Sequence, residues 1–173
     1  ITVTPSPRKK DDPMRLYLVR HGMATTKDVN PDRPLCEQGK KDVARMASFL
    51  GRAGVRVPRV IHSEVLRAQQ TALILSPVIG PGRIVEEMKD LTPSSRLDTL
   101  TEAAAAWTQD TMVVGHDPFM SRIVSYLTCG DASAGVIGFD PGSIACLERD
   151  PIVTAKGGHW MLMWHMSPLL LSP

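Results

Sequence analysis

Short apolar runs alternate along the chain with longer segments whose apolar residues recur every three to four positions, the spacing of a helix with one buried face. The first run, 16–19, stops abruptly at Arg20, as expected for a buried strand that leads into a loop. Residues 37–50 carry apolar side chains at helical spacing, and we expect Gly51 and Gly54 to end that helix.

The same alternation continues to the end of the chain. Residues 60–61 predict a second strand, and Ser63 is a suitable N-cap for a helix over 64–79. The alanine-rich segment 98–107 favours a helix by propensity. Further strands are predicted over 83–86, 111–114, 143–147 and 159–166, and a further helix is predicted from the capping pair Asp117-Pro118 to about Leu127.

Strands that alternate with helices predict an α/β fold with a mainly parallel sheet and helices on both of its faces. The chain has 173 residues, which suits one domain with a single core, and it shows no internal repeat or linker. We assign this domain to residues 14–173. Residues 1–13 are polar and rich in proline, and we expect them to be a disordered tail, a vector-derived remnant or an upstream start, with Met14 as the natural beginning.

The composition is that of an ordinary soluble protein, since 43% of the residues are hydrophobic and 22% are charged. The formal net charge of +2 is too small to favour nucleic acid or an anionic membrane as a partner. No apolar run approaches the roughly 20 residues of a membrane helix, and no signal peptide is recognisable. Cys36, Cys129 and Cys146 are odd in number and scattered, which predicts free thiols in a reducing cytoplasm.

The candidate chemistry lies where predicted strands end. In an open α/β sheet, ligands bind at the edge formed by the carboxyl ends of the strands. Three short segments fall at such ends: Arg20-His21-Gly22, the pattern Ser63-x-x-x-Arg67-Ala68-x-x-Thr71, and Gly115-His116. We therefore expect these segments, which are far apart in the sequence, to meet in one site.

A phosphoryl group accounts for the residue types in these segments. Arg20 and Arg67 can form bidentate, charge-assisted hydrogen bonds to phosphate oxygens. We expect those charges to lower the pKa of His21, which can then attack phosphorus as a neutral imidazole and form a phosphohistidine. His116 can donate a hydrogen bond to the phosphoryl oxygens as their charge changes. Gly22 lacks a β-carbon and so lets the backbone approach the anion.

Taken in order, these segments resemble the histidine phosphatase superfamily, which includes the cofactor-dependent phosphoglycerate mutases. The resemblance runs from Met14 to Pro168 and is closest to the small SixA-type protein-histidine phosphatases. It is supported by Arg33-Pro34-Leu35 with Gly39, by Leu91-Thr92-Pro93, and by the terminal segment Trp164-His165-Met166-Ser167-Pro168. The resemblance implies a three-layer α/β/α domain of the phosphoglycerate mutase type. It also implies that His21 is the nucleophile, that phosphate is bound by Arg20, Arg67 and His116, and that neither a metal nor an organic cofactor takes part.

Several positions depart from the family pattern. Cys36 stands where the family commonly has Thr, which weakens a helix cap without affecting the chemistry. Lys27 and Met23 stand where the mutases usually carry Asn and often carry Glu. The long segment that bears the acidic proton donor of the mutases is also missing, and the acids near its place are Glu86, Glu87 and Asp90. These departures disfavour mutase activity.

Other catalytic arrangements find no support in the sequence. No cysteine is followed six residues later by arginine, and the chain contains no G-x-S-x-G, Walker or H-E-x-x-H motif. His62, His159 and His165 lack metal-ligand spacing and are expected to be structural, although His62 could instead line the rim of the site. Glu87 and Asp90 are expected to be surface charges.

We interpret the sequence as a cytoplasmic, metal-independent phosphatase that works through phospho-His21. The expected substrate is a phosphohistidine on a signalling or phosphorelay protein, as the SixA-type resemblance implies. Small-molecule or other phosphoprotein esters remain an alternative on the same site, and a non-catalytic phosphoprotein-binding module is a third hypothesis. The sequence leaves the partner protein and the oligomeric state open.

Overall fold

Strands and helices follow one another in the order that the apolar runs predict. The computed structural model describes residues 12–80, 84–150 and 159–171. The prediction of a disordered tail over residues 1–13 therefore concerns mostly residues outside the described part of the chain. The elements are β1 (Arg15–Arg20), α1 (Glu37–Arg52), β2 (Arg59–Ser63), α2 (Leu66–Ile79), β3 (Ile84–Met88), α3 (Asp98–Ala106), β4 (Thr111–Gly115), α4 (Phe119–Cys129), β5 (Ile144–Arg149) and β6 (Trp160–Met166), followed by a short 3₁₀ helix at Pro168–Leu171.

The strands form one mixed sheet in the order β3-β2-β4-β1-β5-β6. The first four strands in this order are parallel to one another, whereas β5 is antiparallel to both β1 and β6. The prediction of an α/β fold with a mainly parallel sheet is therefore confirmed for the part that holds the candidate motifs. The antiparallel part is where two predicted strands had no helix between them, because antiparallel neighbours need no crossover helix.

Helices cover both faces of the sheet, which makes the domain three-layered. Along β1, Leu16 and Leu18 face the layer of α3 and α4, whereas Tyr17 and Val19 face the layer of α1 and α2. This alternation follows from the two-residue period of a strand. All four side chains are fully or almost fully buried, and burial of each stabilises the fold by about 1.5–3 kcal/mol. Among the helices described, none is long and apolar enough to cross a membrane.

The end of α1 differs from the prediction. The helix passes through Gly51 and ends at Arg52, and the turn comes at Gly54, whose φ is +70°. A β-carbon on Gly51 would lie 2.6 Å from Val78 Cγ1 of α2. Gly51 therefore lets the two helices approach each other. It does not end the helix, although its residue type had led us to expect that it would.

The start of α2 also differs from the prediction. The helix begins at Leu66, its N-cap is Val65, and no side chain caps it. Ser63 is instead the last residue of β2, and its hydroxyl is hydrogen-bonded elsewhere in the site. At α4 the predicted cap is close to correct, since Asp117 Oδ1 accepts a hydrogen bond of 3.3 Å from Ser121 N.

The loop after β1 is packed tightly against α1. A β-carbon on Gly39 would lie 2.0 Å from the carbonyl oxygen of Met23, and one on Gly22 would lie 2.7 Å from Val43 Cγ2. Two glycines on facing segments therefore bring the backbone after Arg20 into contact with the helix. This contact sets the position of the loop that carries His21.

We predict that Gly39→Ala destabilises the protein. Alanine is favoured over glycine inside a helix by about 1 kcal/mol, but overpacking against a backbone carbonyl costs up to about 3 kcal/mol. We expect a net loss of about 2 kcal/mol in the free energy of unfolding, measured by urea titration. Gly138→Ala is the matched control, because nothing lies within 4 Å of a β-carbon there. Equal stability of the two variants would contradict the close approach of the loop and α1.

Candidate active site

The three candidate segments meet because they follow three adjacent parallel strands. β1 pairs with β4 so that Arg20 lies opposite Gly115, and β4 pairs in turn with β2. The backbone continues this pairing beyond the strand, since His21 N donates a hydrogen bond of 2.9 Å to the carbonyl of Gly115. The carboxyl ends of all three strands therefore lie at one edge of the sheet, as the sequence predicts.

The imidazole of His21 is held in one tautomer. Its Nδ1 lies 2.7 Å from the carbonyl oxygen of Gly22, which can only accept, so Nδ1 carries the proton and donates it. The lone pair of a neutral His21 is then on Nε2. Arg67 Nε donates a hydrogen bond of 3.1 Å to this Nε2. The nitrogen that the sequence predicts to be nucleophilic therefore faces the guanidinium group of Arg67.

Arg67 lies between the two histidines of the site. It is the second residue of α2, and its Nη2 lies 3.4 Å from His116 Nδ1. The rings of His21 and His116 are in edge contact, with centroids 4.9 Å apart and planes inclined at 61°. One guanidinium group thus contacts both imidazoles, and its planar fork offers several N–H groups to an oxyanion bound there.

His116 is buried and is oriented by Ser63. His116 Nε2 lies 2.9 Å from Ser63 Oγ, which also accepts a hydrogen bond of 3.3 Å from Val65 N. This contact leaves His116 Nδ1 on the side of Arg67. This role of Ser63 was not predicted from the sequence, which indicated a helix cap. The signal that could have shown it is the place of Ser63 at a strand end beside the strand that leads to His116.

Arg20 is held by a loop that precedes β5. Its Nη1 donates a short hydrogen bond to the carbonyl of Phe139, and its backbone N–H donates one of 3.1 Å to the carbonyl of Ser143. Its Nε is buried and has no hydrogen-bond partner within the part of the chain that the structure describes. The guanidinium group is thus fixed mainly by one carbonyl oxygen.

Gly22 has a different reason to be glycine from the one we expected. Its N–H donates a hydrogen bond of 3.0 Å to Thr71 Oγ1, and the Thr71 hydroxyl donates one of 2.7 Å to the carbonyl of Arg67. The space where a β-carbon would lie is occupied by Val43 and Leu35. Close packing against α1 therefore requires the glycine, and its N–H is already donated to Thr71 and not to an anion.

Both histidines are neutral at physiological pH. Burial lowers the pKa of His21 to about 4, and the charges of Arg67, Arg20 and Arg33 act in the same direction, against the hydrogen bond to Gly22. The pKa of His116 is lowered to about 3, again first by burial, then by the neighbouring His21 and then by the same three arginines. The guanidinium effect expected from the sequence is present, but burial is the larger cause.

Arg33 is a charged neighbour of the site that the sequence analysis did not assign to phosphate binding. It lies in the loop between β1 and α1 with a φ of 49°, and its Nε donates a hydrogen bond of 3.2 Å to the carbonyl of Thr25. Its charge contributes to lowering the pKa of His21, Arg67 and His116. A left-handed backbone in a residue other than glycine costs about 1–3 kcal/mol, which is typical of functional loops. Its place beside Pro34 in a supporting motif was the available signal.

Among the described residues, none of the remaining candidates is hydrogen-bonded to the side chains of His21, Arg67 or His116. Glu87 and Asp90 are exposed, and Glu86 pairs with Arg59 at 2.7 Å. His62 is buried, with its Nδ1 2.9 Å from the carbonyl of Ser63, so it does not line the rim. Across residues 12–80, 84–150 and 159–171, no three His, Cys, Asp or Glu side chains are grouped as metal ligands would be. The three cysteines are free thiols.

Comparisons with known proteins show which proteins this chain is similar to. The family model of the histidine phosphatase superfamily (branch 1) matches residues 16–92. The phosphohistidine phosphatase SixA of Escherichia coli K12 is 28% identical over 163 residues, which cover 90% of this chain and 94% of that protein. A protein of Picosynechococcus without a characterised function is 28% identical over 145 residues, which cover 75% of this chain and 87% of that protein.

The structural comparison extends over nearly the whole chain. A solved structure of the protein histidine phosphatase SixA complexed with tungstate superposes with a TM-score of 0.80 and 26% sequence identity, and covers 92% of this chain and 100% of that one. The family model contains the first two motif segments, and the structural match continues past it through the remaining strands. Over nearly its whole length the chain is therefore similar to enzymes of the histidine phosphatase superfamily.

Proposed function

We propose that this enzyme removes phosphate from phosphohistidine on a signalling or phosphorelay protein of the cytoplasm. The observation that carries the proposal is the state of His21, whose Nδ1–H is donated to Gly22 while its Nε2 lone pair faces Arg67. The similarity to a phosphohistidine phosphatase supports the choice of substrate. The catalytic residues are His21, His116, Arg20 and Arg67, and neither a metal nor an organic cofactor takes part.

The first transfer moves the phosphoryl group from the substrate to His21. The phosphoryl oxygens accept hydrogen bonds from the N–H groups of Arg67 and Arg20. Arg67 then no longer donates to His21 Nε2, and the lone pair of this nitrogen is free to attack. A bond then forms between Nε2 and phosphorus as the bond from phosphorus to the substrate imidazole breaks, in line with the attack. The substrate imidazole leaves neutral, because its other ring nitrogen carries a proton.

The second transfer moves the phosphoryl group from His21 to water. Phospho-His21 keeps the proton on Nδ1, because that N–H is donated to the carbonyl of Gly22 at 2.7 Å. When water attacks phosphorus and the bond to Nε2 breaks, His21 therefore leaves as a neutral imidazole and returns to its starting tautomer. His116, held by Ser63, hydrogen-bonds the phosphoryl oxygens during both transfers.

Guanidinium groups supply the positive charge that a metal supplies in other phosphatases. Arg20 and Arg67 carry two charges, which match those of a phosphoryl dianion, and Arg33 adds a third to the field of the site. Within the part of the chain that the structure describes, no carboxylate is among the groups that shift the pKa of His21 or His116. The site is therefore suited to an anion and to a leaving group that needs no acid beside it.

A phosphatase of small-molecule or other phosphoprotein esters is the second candidate, because the same groups would bind any phosphate monoester. An alkoxide leaves less readily than an imidazole and usually requires a general acid, worth about 10²–10⁴-fold in rate. A non-catalytic phosphoprotein-binding module is less consistent with the site, since anion binding alone needs no oriented nucleophile. Turnover of a generic aryl phosphate would separate an enzyme from such a module.

We predict that His21→Ala abolishes activity and that the wild-type enzyme carries an acid-labile, base-stable phosphate on His21 during turnover. Mass spectrometry of enzyme that is quenched rapidly and handled without acid would locate the phosphate. His159→Ala is the control, because His159 precedes β6 beside Asp150, at the sheet edge opposite the site. Substantial turnover by His21→Ala would overturn the assignment of the nucleophile.

The same assay tests the absence of a metal requirement. We expect full activity in EDTA and inhibition by vanadate, because arginines and not a metal hold the phosphoryl group. Loss of activity in EDTA that added metal restores would contradict this part of the proposal.

We predict that the activity of the free enzyme persists well below pH 6.5. The pKa of His21 is lowered to about 4, so the neutral nucleophile is retained until the pH approaches that value. In the unfolded chain, His21 and His116 each bind a proton at about pH 6.5, whereas in the folded protein they do so only at lower pH. The free energy of unfolding therefore decreases as the pH falls from about 6.5 to 4. NMR titration of the His21 ring would measure this pKa directly.

Arg33 provides the internal comparison for this titration. Arg33→Gln removes one of the positive charges that lower the pKa of His21, so we expect the His21 pKa to rise. Arg56→Gln is the matched control, because Arg56 is exposed and donates a hydrogen bond to the carbonyl of its neighbour Val55. A His21 that titrates near 6.5 in the wild type would contradict the neutral-nucleophile mechanism.

We predict a strong preference for phosphohistidine over sugar phosphates, because the imidazole leaves without a general acid. The comparison is kcat/KM for a phosphohistidine protein and for several sugar phosphates. Glu87→Gln and Asp90→Asn should change phosphohistidine hydrolysis only slightly, since both side chains are exposed. A higher kcat/KM for a sugar phosphate, together with a hundredfold loss of kcat/KM in either variant, would favour the hypothesis of a small-molecule phosphatase.

A further inference from the structure

The loop from Phe139 to Ser143 holds the two residues that the proposed mechanism depends on most. Its Gly142 N–H donates hydrogen bonds to the carbonyls of both Arg20, at 3.1 Å, and His21, at 3.0 Å. Its Ser143 carbonyl accepts from Arg20 N, and its Phe139 carbonyl accepts from the Arg20 guanidinium. The loop therefore binds the backbone of Arg20 on both sides and also binds its side chain.

The loop is held in turn by the C-terminal end of β6. Ser167 Oγ donates a hydrogen bond of 2.8 Å to Asp140 Oδ2, and the Ser167 side chain also accepts one of 3.3 Å from Leu169 N. The ring of Phe139 is in edge contact with the ring of His165, with centroids 5.2 Å apart. Ser167 is 8% exposed and Phe139 is 5% exposed, so one partner of each contact is buried, whereas Asp140 itself is exposed.

The backbone conformation of Gly142 and its packing define the position of the same loop. Gly142 has a φ of 83°, and a β-carbon there would lie 3.4 Å from Pro168 Cγ and 3.8 Å from Val43 Cγ2. The loop thus lies between α1 on one side and the residues after β6 on the other. The segment after the last strand is in this way connected to Arg20, the last residue of the first strand.

We propose that Asp140 and Ser167 are positioning residues, whose hydrogen bond fixes the Phe139 carbonyl and thereby aims the Arg20 guanidinium at the phosphoryl group. This inference rests on the proposed phosphatase function and assigns a role to the terminal motif Trp164–Pro168. Because the carbonyl of Phe139 accepts the one hydrogen bond that the Arg20 side chain makes within the described residues, movement of the loop leaves that guanidinium without its orientation.

The test measures orthovanadate affinity by calorimetry and KM for an aryl phosphate. Ser167→Ala and Asp140→Ala should each weaken vanadate binding and raise KM by about tenfold, which is the effect of a misdirected charge-assisted hydrogen bond. Ser167→Thr keeps the hydroxyl donor and Asp140→Asn keeps an acceptor oxygen, so both should remain within about twofold of the wild type.

Asp131→Ala is the matched control. It removes a similar bond between an aspartate and a serine, Ser133 Oγ to Asp131 Oδ1 at 2.6 Å, in an exposed turn. We expect it to leave vanadate affinity and KM unchanged. Thermal unfolding should show that Ser167→Ala and Asp140→Ala lower Tm by only about 2–4 °C, as loss of one hydrogen bond would.

A double-mutant cycle decides whether the pair acts through Arg20. In an Arg20→Ala background, Ser167→Ala should cause no further loss of vanadate affinity, because the group that it positions is already absent. Unchanged affinity in Ser167→Ala and Asp140→Ala, or an equal loss in the presence and absence of Arg20, would overturn the inference while leaving the proposed function intact. Failure of the wild-type enzyme to bind vanadate would contradict the proposed function itself and this inference with it.

Discussion

The register between β1 and β4 is the constraint on which the site depends. Arg20 lies opposite Gly115, and the pairing continues as His21 N donates to the Gly115 carbonyl, so the residues after both strands emerge side by side. A slip of one residue would turn every side chain of β1 to the other face and disrupt its packing against both helix layers. Since β1 is buried on both faces, the packing of the core and the juxtaposition of His21 with His116 are set by the same pairing.

Burial gives the site its chemical character. Removal of water from around the two imidazoles disfavours their charged forms, and the guanidinium groups beside them act in the same direction. The result is a pair of neutral histidines in a field of fixed positive charge. That combination suits a nucleophilic imidazole and a doubly negative phosphoryl group, because the arginines remain charged at any physiological pH.

Close packing of backbone segments converts this chemistry into geometry. Gly22 and Gly39 bring the loop after β1 against α1, and Thr71 connects the Gly22 N–H to the backbone of Arg67. The tautomer of His21 follows from the same arrangement, since the Gly22 carbonyl accepts its Nδ1–H. The helix that carries Arg67 and the loop that carries His21 are therefore one connected unit.

The sequence by itself determined the strands and helices, the α/β class and the three segments that form the site. These features depend on local patterns, such as the period of apolar residues and the residue types at strand ends. The tertiary structure alone decided the binding of Ser63 to His116, the packing role of Gly51 and Gly22, and the place of Arg33. It alone also placed the Phe139–Ser143 loop against Arg20. Each of these depends on a contact with a residue distant in sequence or on a backbone conformation. A local pattern of residue types contains no information about which distant atoms will lie beside it.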